Sequence, residues 1–240
     1  MLGGFFIRIF SIVGRKNTGK TLLSVRLIEK LKKRNYKVAT IKHTHHVIEV
    51  DKENSDTWKH RIAGSDIVVG VGDKTFFNID RVYSLDRLLF LIKLIENPDF
   101  VMIEGFKNYN YLKVSTSKDL VDEFTIKVID PFKIDEDGIN SLVNDIENLS
   151  FDIIDTLYTN ECGYNDVLDI GRSIIKGELD YNPDDLDVSV AIDENNIGLN
   201  FFVKDFIKNT IIGMLKTLKT EEFGVKNFNK LEVIVNKKEE

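Results

Sequence analysis

The chain has 240 residues, enough for one large domain or two smaller ones. Apolar residues make up 42% and charged residues 30%, so the sequence can bury a core and keep a polar surface. A net charge of −6 argues against a basic nucleic-acid-binding surface, and no apolar run reaches the roughly 18–20 residues of a membrane span. The single cysteine, Cys162, cannot form an internal disulfide, which favours a reducing, cytoplasmic location.

The first elements predict a parallel α/β sheet. The apolar run Phe5–Val13 is interpreted as a buried strand and not as a signal peptide, because Arg8 interrupts it and no charged segment precedes it. A helix is predicted over Gly19–Arg34 and a second strand over Tyr36–Ile41. A strand, a helix and a strand in this order form the βαβ unit of a parallel sheet.

Strands and helices continue to alternate as far as residue 149. The predicted elements are a polar loop (Lys42–Ser55), a short helix (Asp56–Ala63) capped by Asn54 or Ser55, a hairpin (Asp66–Val71 and Thr75–Ile79), a helix (Leu85–Glu96), three strands (Phe100–Ile103, Leu112–Ser115 and Phe124–Ile129) and a closing helix (Ile139–Leu149). We place a domain boundary near residue 150. Residues 1–150 then form an α/β domain with a mostly parallel sheet flanked by helices.

The remaining residues, 151–240, predict a small α+β domain. A hairpin is expected from Val188–Ile192 and Ile197–Phe201, followed by a helix over Phe206–Leu218 and a strand over Leu231–Val235. The segment around Cys162 resembles a small iron–sulfur module whose outer cysteine positions are occupied by Thr159 and Val167. A cluster needs several thiolates, so we expect no iron–sulfur cluster within one chain; a cluster shared between chains through Cys162 stays open.

The strand-to-helix turn after Val13 carries the strongest motif. It satisfies the pattern G-x-x-x-x-G-K-[ST] in full, which predicts a nucleotide-binding domain of the P-loop NTPase type. Backbone N–H groups and the positive end of the following helix would cradle phosphates; Lys20 would contact the β- and γ-phosphates, and the Thr21 hydroxyl would bind Mg²⁺. The residues of this phosphate loop are Gly14, Arg15, Lys16, Asn17, Thr18, Gly19, Lys20 and Thr21.

A buried strand that ends in an acidic residue predicts a second part of the same site. Phe100–Ile103 leads into Glu104, and the carboxylate would emerge at the edge of the sheet where the phosphate loop lies. There it would hold Mg²⁺ through a water molecule or orient the attacking water.

The polar loop after the second strand reaches the same edge, and its role has alternatives. We favour a loop that faces the γ-phosphate, with Asp51 as a second contact to Mg²⁺ or water. A metal site formed by His43, His45 and Asp51 and a solvent-exposed loop without a role both stay open. The histidines lie in Lys42-His43-Thr44-His45-His46.

Four motifs in fixed order resemble a known family. The phosphate loop is followed by Ala39–His46 (ATIKHTHH), Asp51, Asp56–Gly64 (DTWKHRIAG) and Glu104–Lys107 (EGFK). Together, over about residues 5–116, these resemble the molybdopterin-guanine dinucleotide biosynthesis adapter proteins. The resemblance implies a GTP-binding P-loop protein, typically a homodimer, with weak GTPase activity. Such a protein would assist the guanylyltransferase that joins GMP to molybdopterin.

The resemblance also transfers roles to individual residues. Lys20 and Thr21 become the phosphate and Mg²⁺ residues, and Glu104 becomes the Walker-B carboxylate. The preference for GTP over ATP depends on the resemblance alone, because the sequence has no [NT]-K-x-D base motif. The motif positions near the nucleotide or a partner, without assigned individual roles, are Lys42, His43, Asp51, Asp56 and Lys107.

Two other functions stay open at this stage. The first is a small-molecule kinase, in which Asp51 would serve as the base for an acceptor hydroxyl. The second is a nucleotide-binding module that has lost hydrolysis. Hydrolysis itself, if catalysed, would be slow, because the phosphate loop offers only Arg15 as a candidate arginine finger.

Overall fold

A five-stranded, wholly parallel sheet forms the centre of the protein. The computed structural model describes residues 6–44, 51–157, 163–164, 166–180, 188–225, 228 and 230–235. The strands of the sheet lie in the order β2-β5-β1-β6-β7. They are β1 (Arg8–Val13), β2 (Val38–Lys42), β5 (Phe100–Glu104), β6 (Leu112–Ser115) and β7 (Thr125–Val128).

Helices cover both faces of this sheet, so its central strands are apolar on both sides. Side chains on alternate residues of a strand point to opposite faces. The helices are α1 (Lys20–Lys33), α2 (Asp56–Ile62), α3 (Leu85–Ile95), α4 (Glu136–Leu149), α5 (Val167–Ile175) and α6 (Phe201–Leu215).

The two faces form two separate buried clusters. Phe10 and Met102 pack with residues of α1 and α4, such as Leu27 and Leu142. Ile9 and Val101, one residue away on the same strands, pack with residues of α3 and α5. This double covering fixes the strand ends, and with them the loops that follow each strand.

The predicted α/β architecture is confirmed, and the elements up to α4 end within three residues of their predicted limits. The predicted hairpin forms a separate sheet of β3 (Ile67–Val71) and β4 (Thr75–Ile79). Ser55, one of the two predicted caps, accepts a hydrogen bond from the Trp58 backbone N–H at the start of α2.

Helix α5 was not predicted. Asp166 caps it, and Ile170 and Ile174, four residues apart, are buried on one face. This cap and spacing are the signal that identifies such a helix. The chain between α4 and α5 also packs on the sheet, since the Ile9 backbone N–H donates to the carbonyl of Phe151. The core therefore contains residues from both sides of position 150, and a domain boundary there stays a prediction.

The last part of the chain differs from the prediction in three places. The hairpin of β8 (Val190–Ile192) and β9 (Asn195–Ile197) turns through Asp193 and Glu194 alone, both with positive φ, so its loop is shorter than expected. Helix α6 begins five residues early, because the Asn200 side chain caps it by accepting from the Val203 N–H. The strand predicted over Leu231–Val235 is wrong: these residues pair with no strand in the described part of the chain.

The described residues contain no helix that is both long and apolar enough to cross a membrane. Cys162 and Thr159 lie outside the described residues, whereas Val167, the other outer position, begins α5.

A buried ion pair joins α3 to the segment after α4. Lys93 Nζ lies 2.7 Å from Asp152 Oδ2, and each side chain is only 9% exposed. Such a pair has a large desolvation penalty, which is offset only while both charges are present.

We therefore expect Asp152→Ala to lower the free energy of unfolding by about 3 kcal/mol, because it leaves the Lys93 ammonium buried without its carboxylate. The matched control is Asp145→Ala, which removes the partner of Lys127 in a pair with side chains about 40% exposed. That change should cost less than about 1 kcal/mol. Urea denaturation of both variants measures the difference; equal losses would contradict a special role for the buried pair.

Candidate nucleotide-binding site

The phosphate loop lies between β1 and α1, at the carboxyl edge of the sheet. Gly14 has a φ of 157°, and a Cβ there would stand 1.9 Å from Thr116 Oγ1. No side chain fits at that distance, so the first glycine of the motif is required by a close approach of the segment that follows β6. Asn17, in the middle of the loop, has a left-handed φ of 63°.

The start of α1 is open to an anion. Among the described residues, no side chain caps this helix, and its first turn contains no acidic residue. Backbone N–H groups at an uncapped N-terminus attract phosphate. Lys20 Nζ donates to the Arg15 carbonyl at 2.5 Å, and Thr18 Oγ1 donates to the same oxygen at 2.9 Å. The ammonium of Lys20 thus lies across the loop.

Glu104 ends β5 directly beside the loop, as its position in the sequence predicts. The side chain of Glu104 is 11% exposed. The Thr21 hydroxyl lies 3.2 and 3.3 Å from its two carboxylate oxygens. Ser24, one turn further along α1, reaches the same carboxylate at 3.4 Å. Ser24 was missed by sequence reasoning; its signal is the spacing of three residues from Thr21, which puts both hydroxyls on one helix face.

Lys42 meets Glu104 from the other side. The two residues are paired in register across β2 and β5, and Lys42 Nζ lies 3.4 Å from Glu104 Oε1. The carboxylate therefore contacts two hydroxyls of α1 and an ammonium of β2. Lys42 and Glu104 belong to different sequence motifs, and the parallel pairing brings them together.

His43 and the segment after Glu104 also form one unit. The His43 N–H donates to the Glu104 carbonyl at 2.9 Å. Gly105 has a φ of 103°, and a Cβ there would stand 3.1 Å from the His43 Cβ. The ring of Phe106 contacts that of His43, with centroids 4.3 Å apart. Lys107 follows as an exposed residue of the turn.

Asp51 has local partners. Its Oδ1 accepts hydrogen bonds from Ser55 Oγ and Thr57 Oγ1, each at 2.9 Å, so it supports the start of α2. A catalytic or metal-binding role for Asp51 stays a prediction. His45 and His46 lie outside the described residues.

The segment after β6 holds the other side of the phosphate loop. Thr116 Oγ1 lies 2.5 Å from Thr18 Oγ1, and the Arg15 N–H donates to Ser117 Oγ at 2.9 Å. The guanidinium of Arg15 pairs with Asp119 at 2.7 Å, and this hydrogen bond lowers the pKa of the Asp119 carboxyl below its usual value. Lys16 is exposed. Sequence reasoning missed this support, whose signal is the polar run Thr116–Asp119 after a buried strand.

The oxygen donors beside the loop fit the requirements of Mg²⁺. This ion is commonly held by one or two protein oxygens, with phosphate oxygens and water completing an octahedron. The Thr21 hydroxyl and the Glu104 carboxylate supply such oxygens side by side. Among the described residues, no group of three or more His, Cys, Asp and Glu side chains is arranged to hold a metal. In the alternative metal site of His43, His45 and Asp51, His45 lies outside the described residues.

Comparison with known proteins decides the family. Residues 9–133 match the family model described as "Molybdopterin guanine dinucleotide synthesis protein B", MobB. The chain belongs to this family. A relative from Methanocaldococcus jannaschii, described as "Putative molybdopterin-guanine dinucleotide biosynthesis adapter protein", is 32% identical and the match covers 96% of this chain and 98% of the relative. The adapter protein of Haemophilus influenzae is 31% identical over 59% of this chain and 89% of its own length.

Solved structures of the MobB family are also similar. A structure of Bacillus subtilis MobB is 31% identical and matches 45% of this chain and 67% of its own chain, with a TM-score of 0.41. A homolog from Bacillus stearothermophilus is 21% identical and matches 58% of this chain and 97% of its own, with a TM-score of 0.43. Because both TM-scores are below 0.5, the family assignment depends on the sequence matches.

The contact between Gly14 and Thr116 generates a prediction about the loop. Gly14→Ala should lower the free energy of unfolding by about 1–3 kcal/mol, because the new Cβ overlaps Thr116 Oγ1 and φ is unfavourable for alanine. Urea denaturation measures this loss.

The double variant Gly14→Ala/Thr116→Ala separates the two causes. Adding Gly14→Ala to the Thr116→Ala protein should cost less than adding it to the wild type. The closest overlap, with Thr116 Oγ1, is then gone, while the contact with Thr18 Oγ1 at 2.9 Å and the backbone strain remain. A Gly14→Ala protein as stable as the wild type would show that the loop moves away from β6 at no cost.

Proposed function

We propose that this chain binds GTP with Mg²⁺ and acts as an adapter in the attachment of a guanine nucleotide to molybdopterin. The observation that carries the nucleotide part is the position of the Glu104 carboxylate, 3.2 Å from the Thr21 hydroxyl at the start of α1. A complete phosphate-loop motif followed by a helix has few uses other than phosphate binding, and an acidic residue ending the neighbouring strand is what Mg²⁺ requires there.

The residues of the site have distinct roles in this proposal. Lys20 and the N–H groups of the loop hold the β- and γ-phosphates. Thr21 binds Mg²⁺ directly, and Glu104 binds it through a water molecule. The ion neutralises phosphate charge and so supplies electrostatic stabilisation. Lys42, beside Glu104, adds a positive charge at the γ-phosphate end.

Hydrolysis would be slow. In this proposal Glu104 would orient a water molecule near the terminal phosphate, which is positioning and not strong activation. Arg15, the one arginine of the phosphate loop, has its guanidinium turned to Asp119. An arginine finger typically raises the rate by about 10³–10⁵-fold, so a site whose arginine is engaged elsewhere should turn over rarely.

The adapter role is supported by family membership and by the descriptions of the relatives. On this basis the partner is the guanylyltransferase of molybdopterin cofactor assembly, the chain forms a homodimer, and it acts in the cytoplasm. The same cofactor chemistry serves molybdenum or tungsten. Lys107 and His43, on the exposed rim around Glu104, are the residues that we assign to the nucleotide or partner face.

The first test is the variant Lys20→Ala. It should abolish measurable binding of GTP, because the ammonium lies across the loop where the phosphates would sit, and leave the fold intact, because its described hydrogen bond is to one backbone carbonyl. Calorimetric titration of GTP, ATP and GDP with Mg²⁺ measures base and phosphate dependence together.

Lys33→Ala is the matched control, since Lys33 is an exposed lysine at the opposite end of α1 from Lys20. It removes the same charge and should retain most of the affinity. Unchanged GTP affinity in the Lys20→Ala protein would refute the nucleotide site.

The second test addresses hydrolysis. Glu104→Gln should retain binding within about tenfold but lower phosphate release at least tenfold, because the neutral amide would orient the attacking water less well than the carboxylate. Labelled GTP supplied with candidate acceptors distinguishes free phosphate from a phosphorylated product. A phosphorylated acceptor would favour the kinase alternative, and equal phosphate release by variant and wild type would remove Glu104 from the reaction.

A further inference from the structure

The two ends of the proposed nucleotide site lie over different strands of the sheet. Glu104 and Lys42, which mark the Mg²⁺ and γ-phosphate end under the proposed function, lie on β5 and β2, on one side of β1. Strands β6 and β7 lie on the other side of β1. A triphosphate held at its terminal end beside β5 carries its nucleoside at the opposite end. The segments that follow β6 and β7 are therefore the surfaces next to the nucleoside.

An aromatic side chain lies on this side, against the phosphate loop. Phe132 follows β7, and its Cε2 stands 3.1 Å from the position that a Cβ on Gly19 would take. Phe132 is nevertheless 70% exposed. This large apolar ring lies at the rim of a predicted ligand site. Because it buries little of its surface, it contributes little to the stability of the fold.

The backbone beneath the ring is held in place. Pro131 is buried and its Cβ lies 2.9 Å from the same Cβ position on Gly19. The Asp130 carboxylate accepts a hydrogen bond from the Phe132 N–H at 3.1 Å. The Ile129 N–H donates to the Ser115 carbonyl at 2.8 Å, which ties the segment to the end of β6. The ring is thus presented from a supported turn beside the start of α1.

We propose that Phe132 is the platform on which the base of the bound nucleotide stacks. This rests on the proposed function, because it needs phosphates in the loop beside it. Aromatic rings bind bases through their faces, and such stacking contributes about 1–3 kcal/mol with little preference among bases. Phe132 therefore adds affinity for any purine nucleotide and does not select guanine; base selection falls to polar groups elsewhere on this rim.

The test compares nucleotides with a ligand that lacks a base. The full-length Phe132→Ala protein is titrated by calorimetry with GTP, ATP and inorganic tripolyphosphate, each with Mg²⁺. We expect the affinities for GTP and ATP to fall about tenfold in parallel, and the affinity for tripolyphosphate to stay unchanged. Phe132→Trp should restore nucleotide binding. Phe202→Ala, which truncates a 74% exposed phenylalanine of α6, is the control and should change nothing.

Three results would overturn the platform. Unchanged nucleotide affinity in Phe132→Ala would show that the base lies elsewhere. An equal loss for tripolyphosphate would show that Phe132 supports the phosphate loop through Gly19 and does not contact the base. A fall for one nucleotide only would assign it to base selection. A wild-type chain that binds neither the nucleotides nor tripolyphosphate would instead refute the proposed function, and the platform with it.

Discussion

The parallel pairing of β5 between β1 and β2 is the constraint on which the whole site depends. Parallel strands end at the same edge of a sheet, so the phosphate loop, Glu104 and Lys42 meet there although they are far apart in the chain. The pairing is maintained by apolar side chains on both faces of each strand, which a parallel sheet needs because helices cover both of its sides. A one-residue slip of β5 would turn Glu104 to the opposite face of the sheet.

Two close backbone approaches set the fine geometry of this edge. Gly14 lies against Thr116, and Gly105 lies against His43. Each glycine admits a neighbour that any side chain would push away, and each has a φ that other residues rarely adopt. The glycine of the phosphate loop thus lets the segment after β6 approach the loop, and the glycine of the EGFK motif lets His43 approach Glu104.

The part of the site that was predictable from sequence is the part encoded by local pattern. A strand, a glycine-rich turn and a helix predict Lys20 and Thr21, and an apolar run ending in a carboxylate predicts Glu104. The polar run Thr116–Asp119 after a buried strand marks a loop at the same edge of the sheet, but its contact with the phosphate loop was not predictable, because nothing in the sequence says that β6 is the strand beside β1. Helix α5 carries a local signal that was missed, the Asp166 cap and the spacing of Ile170 and Ile174, whereas the packing of this face on the sheet is not encoded locally.

The ion pairs around the phosphate loop indicate which cation can bind a phosphate without first losing a carboxylate partner. Of the cations in or beside it, Lys16 is exposed, and two have carboxylate partners: Lys42 pairs with Glu104, and Arg15 pairs with Asp119. Lys20 donates instead to the neutral carbonyl of Arg15. The Lys20 ammonium is a charged donor, and exchanging that neutral carbonyl for a phosphate oxygen adds the attraction between opposite charges to the hydrogen bond. Moving Lys42 or Arg15 would first require breaking an ion pair, so Lys20 gains more from an incoming phosphate than either of these two.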